Sequence, residues 1–206
     1  MNRIQYYEEL KSLARQVRGE RGLDSPRVLR SDMRRIYKFY GIQIDLWPYR
    51  LKNLRGAIMM DSLGASIMLA KSLPTDPLIF TMAHELKHFL TDKELASTYC
   101  HTENMGDPIE IGAEIFAAEL IFPEQDFSAG LKNYGVKKGE CTPEDIVRLK
   151  HETKTTLSYQ GLCKHAERLR FADKEVFDNV KFVKLEEKMY GVPIYKQDWF
   201  KKRRGR

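Results

Sequence analysis

The chain has 206 residues, 42% hydrophobic and 31% charged, with a formal net charge of +6. No apolar run approaches the ~18 residues of a membrane span, and the first residues, Met1 to Glu9, lack the apolar core of a signal peptide. Three cysteines, Cys100, Cys141 and Cys163, make no disulfide framework, so free thiols in a reducing cytoplasm are expected.

The charge is unevenly spread. Residues 1–40 carry ten Lys/Arg against five Asp/Glu, whereas residues 101–126 hold seven Asp/Glu and no Lys/Arg. Residues 3–18 show Ile4, Tyr7, Leu10, Leu13, Ala14 and Val17 at helical spacing. Ser25-Pro26 has the form of a helix start, and Leu29, Met33, Ile36 and Tyr40 make the stripe of a second helix that Gly41 stops. The arginines on its other face (Arg27, Arg30, Arg34, Arg35) read as a solvated surface, with contact to nucleic acid or an acidic partner as the weaker reading.

Residues 42–46 alternate as a half-buried strand. Residues 57–60 and 65–70 flank Asp61-Ser62-Leu63-Gly64, which reads as a hairpin. The expectation is a small antiparallel sheet, with 65–70 as the edge strand that could pair with an extended peptide. Asp76-Pro77 predicts a helix over 77–90, residues 91–106 a loop, and Asp107-Pro108 a helix up to Pro123.

The helix at 77–90 contains His84-Glu85-Leu86-Lys87-His88, an H-E-x-x-H pattern. Two histidines four apart share a helix face, with Cβ atoms about 5–6 Å apart, and can reach one zinc ion. Glu85 is turned away from that pair and is placed to take a proton from a water that the metal activates. Apolar neighbours (Phe80, Met82, Ala83, Leu86, Phe89, Leu90) predict a buried helix, and buried imidazoles need partners.

A catalytic zinc site takes three protein ligands and keeps one position open. The helix at 107–122 offers Glu110 and Glu114, four apart on one face. One could bind the metal while the other holds a ligand histidine by its second ring nitrogen. Asp107-x-x-Glu110 is also a capping box, so spacing alone leaves the two glutamates open.

The segments Phe80 to His88 and Glu110 to Pro123 resemble the ImmA/IrrE family of metallopeptidases, whose pattern is F-T-x-A-H-E-x-x-H followed by E-x-x-A-[N/D]-x-F-A-A-E-L-x-x-P. The likeness covers roughly residues 30–125. It implies zinc (Zn2+) held by His84, His88 and Glu110, with Glu85 as general base. Glu114 stands where the family has Asn or Asp and is expected to support a ligand histidine. The resemblance further implies a cytoplasmic endopeptidase that cleaves a helix-turn-helix transcriptional repressor in stress response or mobile-element regulation. A metal-dependent toxin of a toxin–antitoxin pair, or a DNA-binding regulator with a structural metal, are the alternatives.

Tyr99 and His101 are candidates for stabilising an oxyanion. Cys100-His101 is a conceivable extra metal pair, and Cys163-x-His165 reads as structural. Residues 130–139 read as a Gly/Lys-rich connector; Thr142 caps a helix to about 153; residues 159–171 and 174–190 give further helices. The pair 142–171 has helix-turn-helix spacing, with substrate docking preferred over DNA binding. The expected fold is α+β, with a peptidase domain at 1–129, a helical region at 130–200 and a basic tail at 201–206.

Overall fold

A computed structural model describes residues 2–48, 56–92 and 107–191. Tyr99, Cys100, His101 and the basic tail lie outside the described residues. The described chain falls into two compact units. The first runs to Pro123 and includes Thr155–Leu157; the second takes Glu124–Lys154 and the chain from Ser158 onward. The fold is α+β: helices, a three-stranded sheet and a helical C-terminal region. No described helix is long and apolar enough to cross a membrane.

In the first unit, α1 (Arg3–Arg21) starts where the Asn2 side chain accepts from Ile4 N at 3.2 Å. It ends at Gly22, whose φ of 65° suits a residue without a Cβ. Helix α2 (Arg30–Phe39) does not begin at Ser25-Pro26 as the local signal suggests. The Ser25 hydroxyl instead accepts from Arg27 N. The carbonyls of Pro26 and Val28 accept from the Thr156 amide and hydroxyl, at 3.3 and 3.1 Å. That pairing keeps 26–28 out of the helix, and Asp32 takes up Leu29 N at 2.8 Å to open α2.

Strands β1 (Gln43–Trp47), β2 (Gly56–Asp61) and β3 (Gly64–Ala70) lie in the order β1-β3-β2. This corrects the expected sheet in two respects. The sheet is mixed, since β1 pairs parallel to β3 (Ile44↔Ile67) while β2 pairs antiparallel to it (Ile58↔Ile67). Among the described residues, 65–70 form the central strand, and β1 and β2 are the edges. Ile67 and Leu69 are buried while Ser66 and Met68 are half-buried, the alternation of a strand with one face covered. The hairpin itself is as predicted. Asp61 pairs with Gly64 across Ser62-Leu63, and Asp61 Oδ1 accepts from Leu63 N at 2.7 Å.

Helix α3 (Thr75–Thr91) packs Leu78, Ile79, Met82, Ala83 and Leu86 inward. The buried Tyr37 hydroxyl of α2 donates to Met82 O at 2.6 Å. Helix α4 (Pro108–Ile121) opens with Asp107 accepting from Ile109 N at 2.8 Å. Its far end is closed by α1. The Arg18 guanidinium donates to Leu120 O at 2.6 Å and Ile121 O at 3.1 Å, satisfying terminal carbonyls and meeting the negative end of the helix dipole. Arg15 pairs with the buried Glu119 at 2.7 Å. Gly112 permits close packing there, because a Cβ would sit 2.7 Å from Leu10 Cδ1. Helix α4 is thus anchored to α1 while packing against α3.

The second unit holds α5 (Glu124–Asn133), α6 (Pro143–Thr153), α7 (Tyr159–Arg168), a 3-10 turn at Lys174–Phe177 and α8 (Phe182–Tyr190). The stretch expected as a connector begins inside α5. Gly130 is a packing glycine, where a Cβ would meet Leu149 Cδ1 at 2.6 Å. Thr142 and Asp145 form a capping box for α6, and Ser158 caps α7 through Gly161 N. The span 174–190 is two pieces, separated near Asn179, which adopts a positive φ of 59°. Cys141 and Cys163 are buried free thiols, each pushed up to about 12 by burial, so both are protonated and inert at neutral pH. The buried His165 lies edge-on to Phe127, in keeping with a structural role.

Gly56 tests the fit of α3 on the sheet. A Cβ there would lie 2.6 Å from Thr81 Cγ2 and 3.1 Å from Leu69 Cδ2. Replacing a glycine by alanine ordinarily gains about 0.4–1 kcal/mol from the unfolded state, but overpacking costs about 1–3 kcal/mol, so the clash dominates. Gly56→Ala should lower the urea midpoint, and Thr81→Ser in the same chain should recover part of the loss. A raised midpoint for Gly56→Ala would show that the helix and strand are not in this contact.

Candidate metal centre

Helix α3 supplies His84, Glu85 and His88, and α4 supplies Glu110 from its first turn. Glu110 does not close a capping box with Asp107; its carboxylate turns to the histidines. His84 Nε2 lies 3.1 Å from Glu110 Oε2, His88 Nε2 lies 3.5 Å from Glu110 Oε1, and the two Nε2 atoms are 3.2 Å apart. Among the described residues, these three side chains form a group whose possible ligand atoms all lie within 4.8 Å of one another.

The hydrogen bonding of this group is incomplete without a cation. His88 Nδ1 lies 2.8 Å from Asp92 Oδ2. Burial favours the neutral form of Asp92, but the hydrogen bonds from His88 and Lys87 outweigh it and hold the carboxyl below its usual range. An anionic Asp92 keeps the His88 proton on Nδ1, so Nε2 presents a lone pair to His84 and Glu110. Glu110 Oε1 is buried and has no hydrogen-bond partner. Lone pairs gathered in a buried place need a cation or a shared proton between them. The spacing fits a metal: ligands about 2.0–2.1 Å from a tetrahedral zinc stand about 3.3 Å from one another. The donor set of two imidazoles and a carboxylate also suits zinc.

Burial disfavours the charged form of His84, yet the Glu110 hydrogen bond and the charges of Glu85, Glu110 and Glu114 raise its pKa overall. The site is therefore an attractor for positive charge. Glu85 is 3% exposed, and its charge is felt by both His84 and Tyr37. Tyr37 itself is held well above its ordinary pKa, first by burial and then by Glu85, so it stays a neutral phenol that donates to Met82 O. Glu114 is exposed one turn further along α4, and its charge reaches His84. The carboxylate placed on His88 Nδ1 is that of Asp92, not Glu114.

Sequence reasoning missed Asp92 and Lys87. Asp92 follows His88 by four residues, the spacing that returns a side chain to the same helix face, and that signal was readable. Lys87 occupies a variable place in the motif, so its burial was not foreseeable from the pattern. The two glutamates of α4 are separable by experiment. Glu110→Gln should weaken zinc binding by at least about 100-fold, beyond the usual effect of residues behind the ligands, while Glu114→Gln should change it far less. Chelator competition measures both, and the reverse order would move the ligand one turn along α4.

The model of the IrrE N-terminal-like domain, a peptidase family of M78 type, matches residues 40–158, which include the His84/His88/Glu110 group. No curated protein matches the chain. A solved structure of a Mycobacterium tuberculosis transcriptional regulator is similar, with a TM-score of 0.54 and 16% identity, over 77% of this chain and 46% of that one. The chain therefore spans about half the length of that protein, and the likeness is one of fold. The family match extends over more than half of the sequence and contains both motif helices, so the chain belongs to the IrrE N-terminal-like peptidase family.

Proposed function

We propose that this protein is a zinc-dependent endopeptidase in which His84, His88 and Glu110 hold the metal and Glu85 is the general base. The observation that carries this reading is the convergence of three lone-pair atoms within 4.8 Å, with an orphaned carboxylate oxygen among them and a buried glutamate on the same helix. A zinc ion held there would supply Lewis acidity, polarising a carbonyl and lowering a water's pKa towards neutrality.

The chain's own residues then have distinct tasks. His84 and His88 present Nε2, and the Asp92 carboxylate fixes the His88 tautomer. Glu85 takes a proton from the attacking water on its carboxylate and returns it to the leaving amine nitrogen as the peptide C–N bond breaks. An extended substrate that adds to the sheet would do so at β1 or β2, the edges among the described residues. The substrate class we favour is a helix-turn-helix transcriptional repressor, on the strength of the resemblance of the two motif segments to the ImmA/IrrE metallopeptidases.

Glu85→Gln tests the chemistry. The variant should retain zinc in a one-to-one ratio and lose at least about 100-fold of the cleavage rate on a helix-turn-helix repressor substrate, the range expected for loss of a general base. Equal cleavage by Glu85→Gln and the unaltered protein would remove Glu85 from this role. Cleavage of unrelated unfolded proteins with no preference for the repressor would remove the substrate assignment and leave the peptidase.

A further inference from the structure

Lysine is almost never fully buried unless it is paired, and Lys87 is 0% exposed. It stands inside the H-E-x-x-H segment, three residues after His84 and one before His88. Its ammonium donates to Asp92 Oδ2 at 2.6 Å and to Ile109 O at 3.1 Å, and it lies 5.7 Å from the centre of the Tyr6 ring. Those three contacts reach the end of α3, the first turn of α4 and α1. Ile109 is the residue before Glu110, so the Lys87 bond fixes the backbone that carries the Glu110 carboxylate. Asp92 Oδ2 meanwhile lies 2.8 Å from His88 Nδ1 as well, and Asp92 Oδ1 accepts from the Thr91 hydroxyl at 3.1 Å.

A continuous hydrogen-bonded path therefore joins His88 to the helix turn of Glu110 through Asp92 and Lys87. We propose that Lys87 and Asp92 are positioning residues. Lys87 sets the register of α4 against α3, Asp92 locks His88 with Nε2 free, and the pair preassembles the three-ligand group before a metal arrives. This rests on the metal reading above. It goes beyond it by assigning the preorganisation of the site to an ion pair that contributes no ligand. The competing reading is an ion pair that only stabilises the fold. Breaking one partner of such a pair leaves an uncompensated buried charge, whereas removing both does not.

The test is a double-mutant cycle with zinc affinity and the thermal midpoint of the metal-free protein read in parallel. Lys87→Met and Asp92→Ala should each bind zinc about 10–100-fold more weakly, the usual consequence of losing a partner behind a metal ligand. Each should also alter the visible absorption spectrum of the cobalt-substituted protein, which reports ligand geometry and which a purely structural loss would not move. The double variant Lys87→Met/Asp92→Ala should regain thermal stability yet remain about 10–100-fold weak for zinc. If a single variant fails to fold, the double variant alone decides. A double variant that recovers both stability and full zinc affinity would overturn the positioning role while leaving the metal reading intact. Failure of the unaltered protein to bind zinc would overturn both.

Discussion

Two imidazole nitrogens and a carboxylate oxygen face one another across 3.1–3.5 Å where α3 meets α4, and one of the carboxylate oxygens is buried with nothing donating to it. Electron pairs so gathered repel unless a positive charge sits among them, and their removal from water adds to the cost. A chain that builds this arrangement from two separate helices uses folding energy to hold it. The rest of the first unit can be understood as the means of holding it.

Helix α3 is fixed from one direction by the sheet, with Gly56 and Thr81 in close contact, and from another by Tyr37 bonding to Met82 O. Helix α4 is fixed to α1 by Arg18 at its last carbonyls, by Arg15 on Glu119, and by the absence of a side chain at Gly112. Between the two helices, Lys87 joins the end of one to the first turn of the other. Apart from the two glycine contacts, each of these is a charged or hydroxyl group satisfying a buried partner, and such bonds specify register more sharply than apolar burial does. The consequence for chemistry is a rigid set of acceptors, with Glu85 buried on the same helix and close enough for its charge to be felt by His84.

Much of this was legible in the residues before any coordinates. The H-E-x-x-H helix, the Asp107 cap of α4 and the hairpin at Asp61–Gly64 are local signals, and the structure follows them. Spacing leaves Glu110 as one of two candidates, because helical spacing cannot say which turn of α4 crosses α3, and only the family resemblance singles it out. The start of α2 was misread since the groups that hold residues 26–28 extended belong to Thr156, 128 residues from Val28. Strand order was misread for a related reason: alternation identifies a strand, but not which neighbour it pairs with or in which direction. Gly130 opens the stretch that reads as a connector, whereas its role is to let Leu149 approach α5. These misreadings arise where a contact distant in sequence overrides a local preference.

X-ray diffraction from zinc-soaked crystals, with data collected on both sides of the zinc absorption edge, addresses the metal assignment most directly. The expected map has a single anomalous peak about 2.0–2.1 Å from His84 Nε2, His88 Nε2 and a Glu110 oxygen, with Asp92 still on His88 Nδ1. A peak elsewhere, or none at the meeting of α3 and α4 with the two imidazoles turned apart, would contradict it.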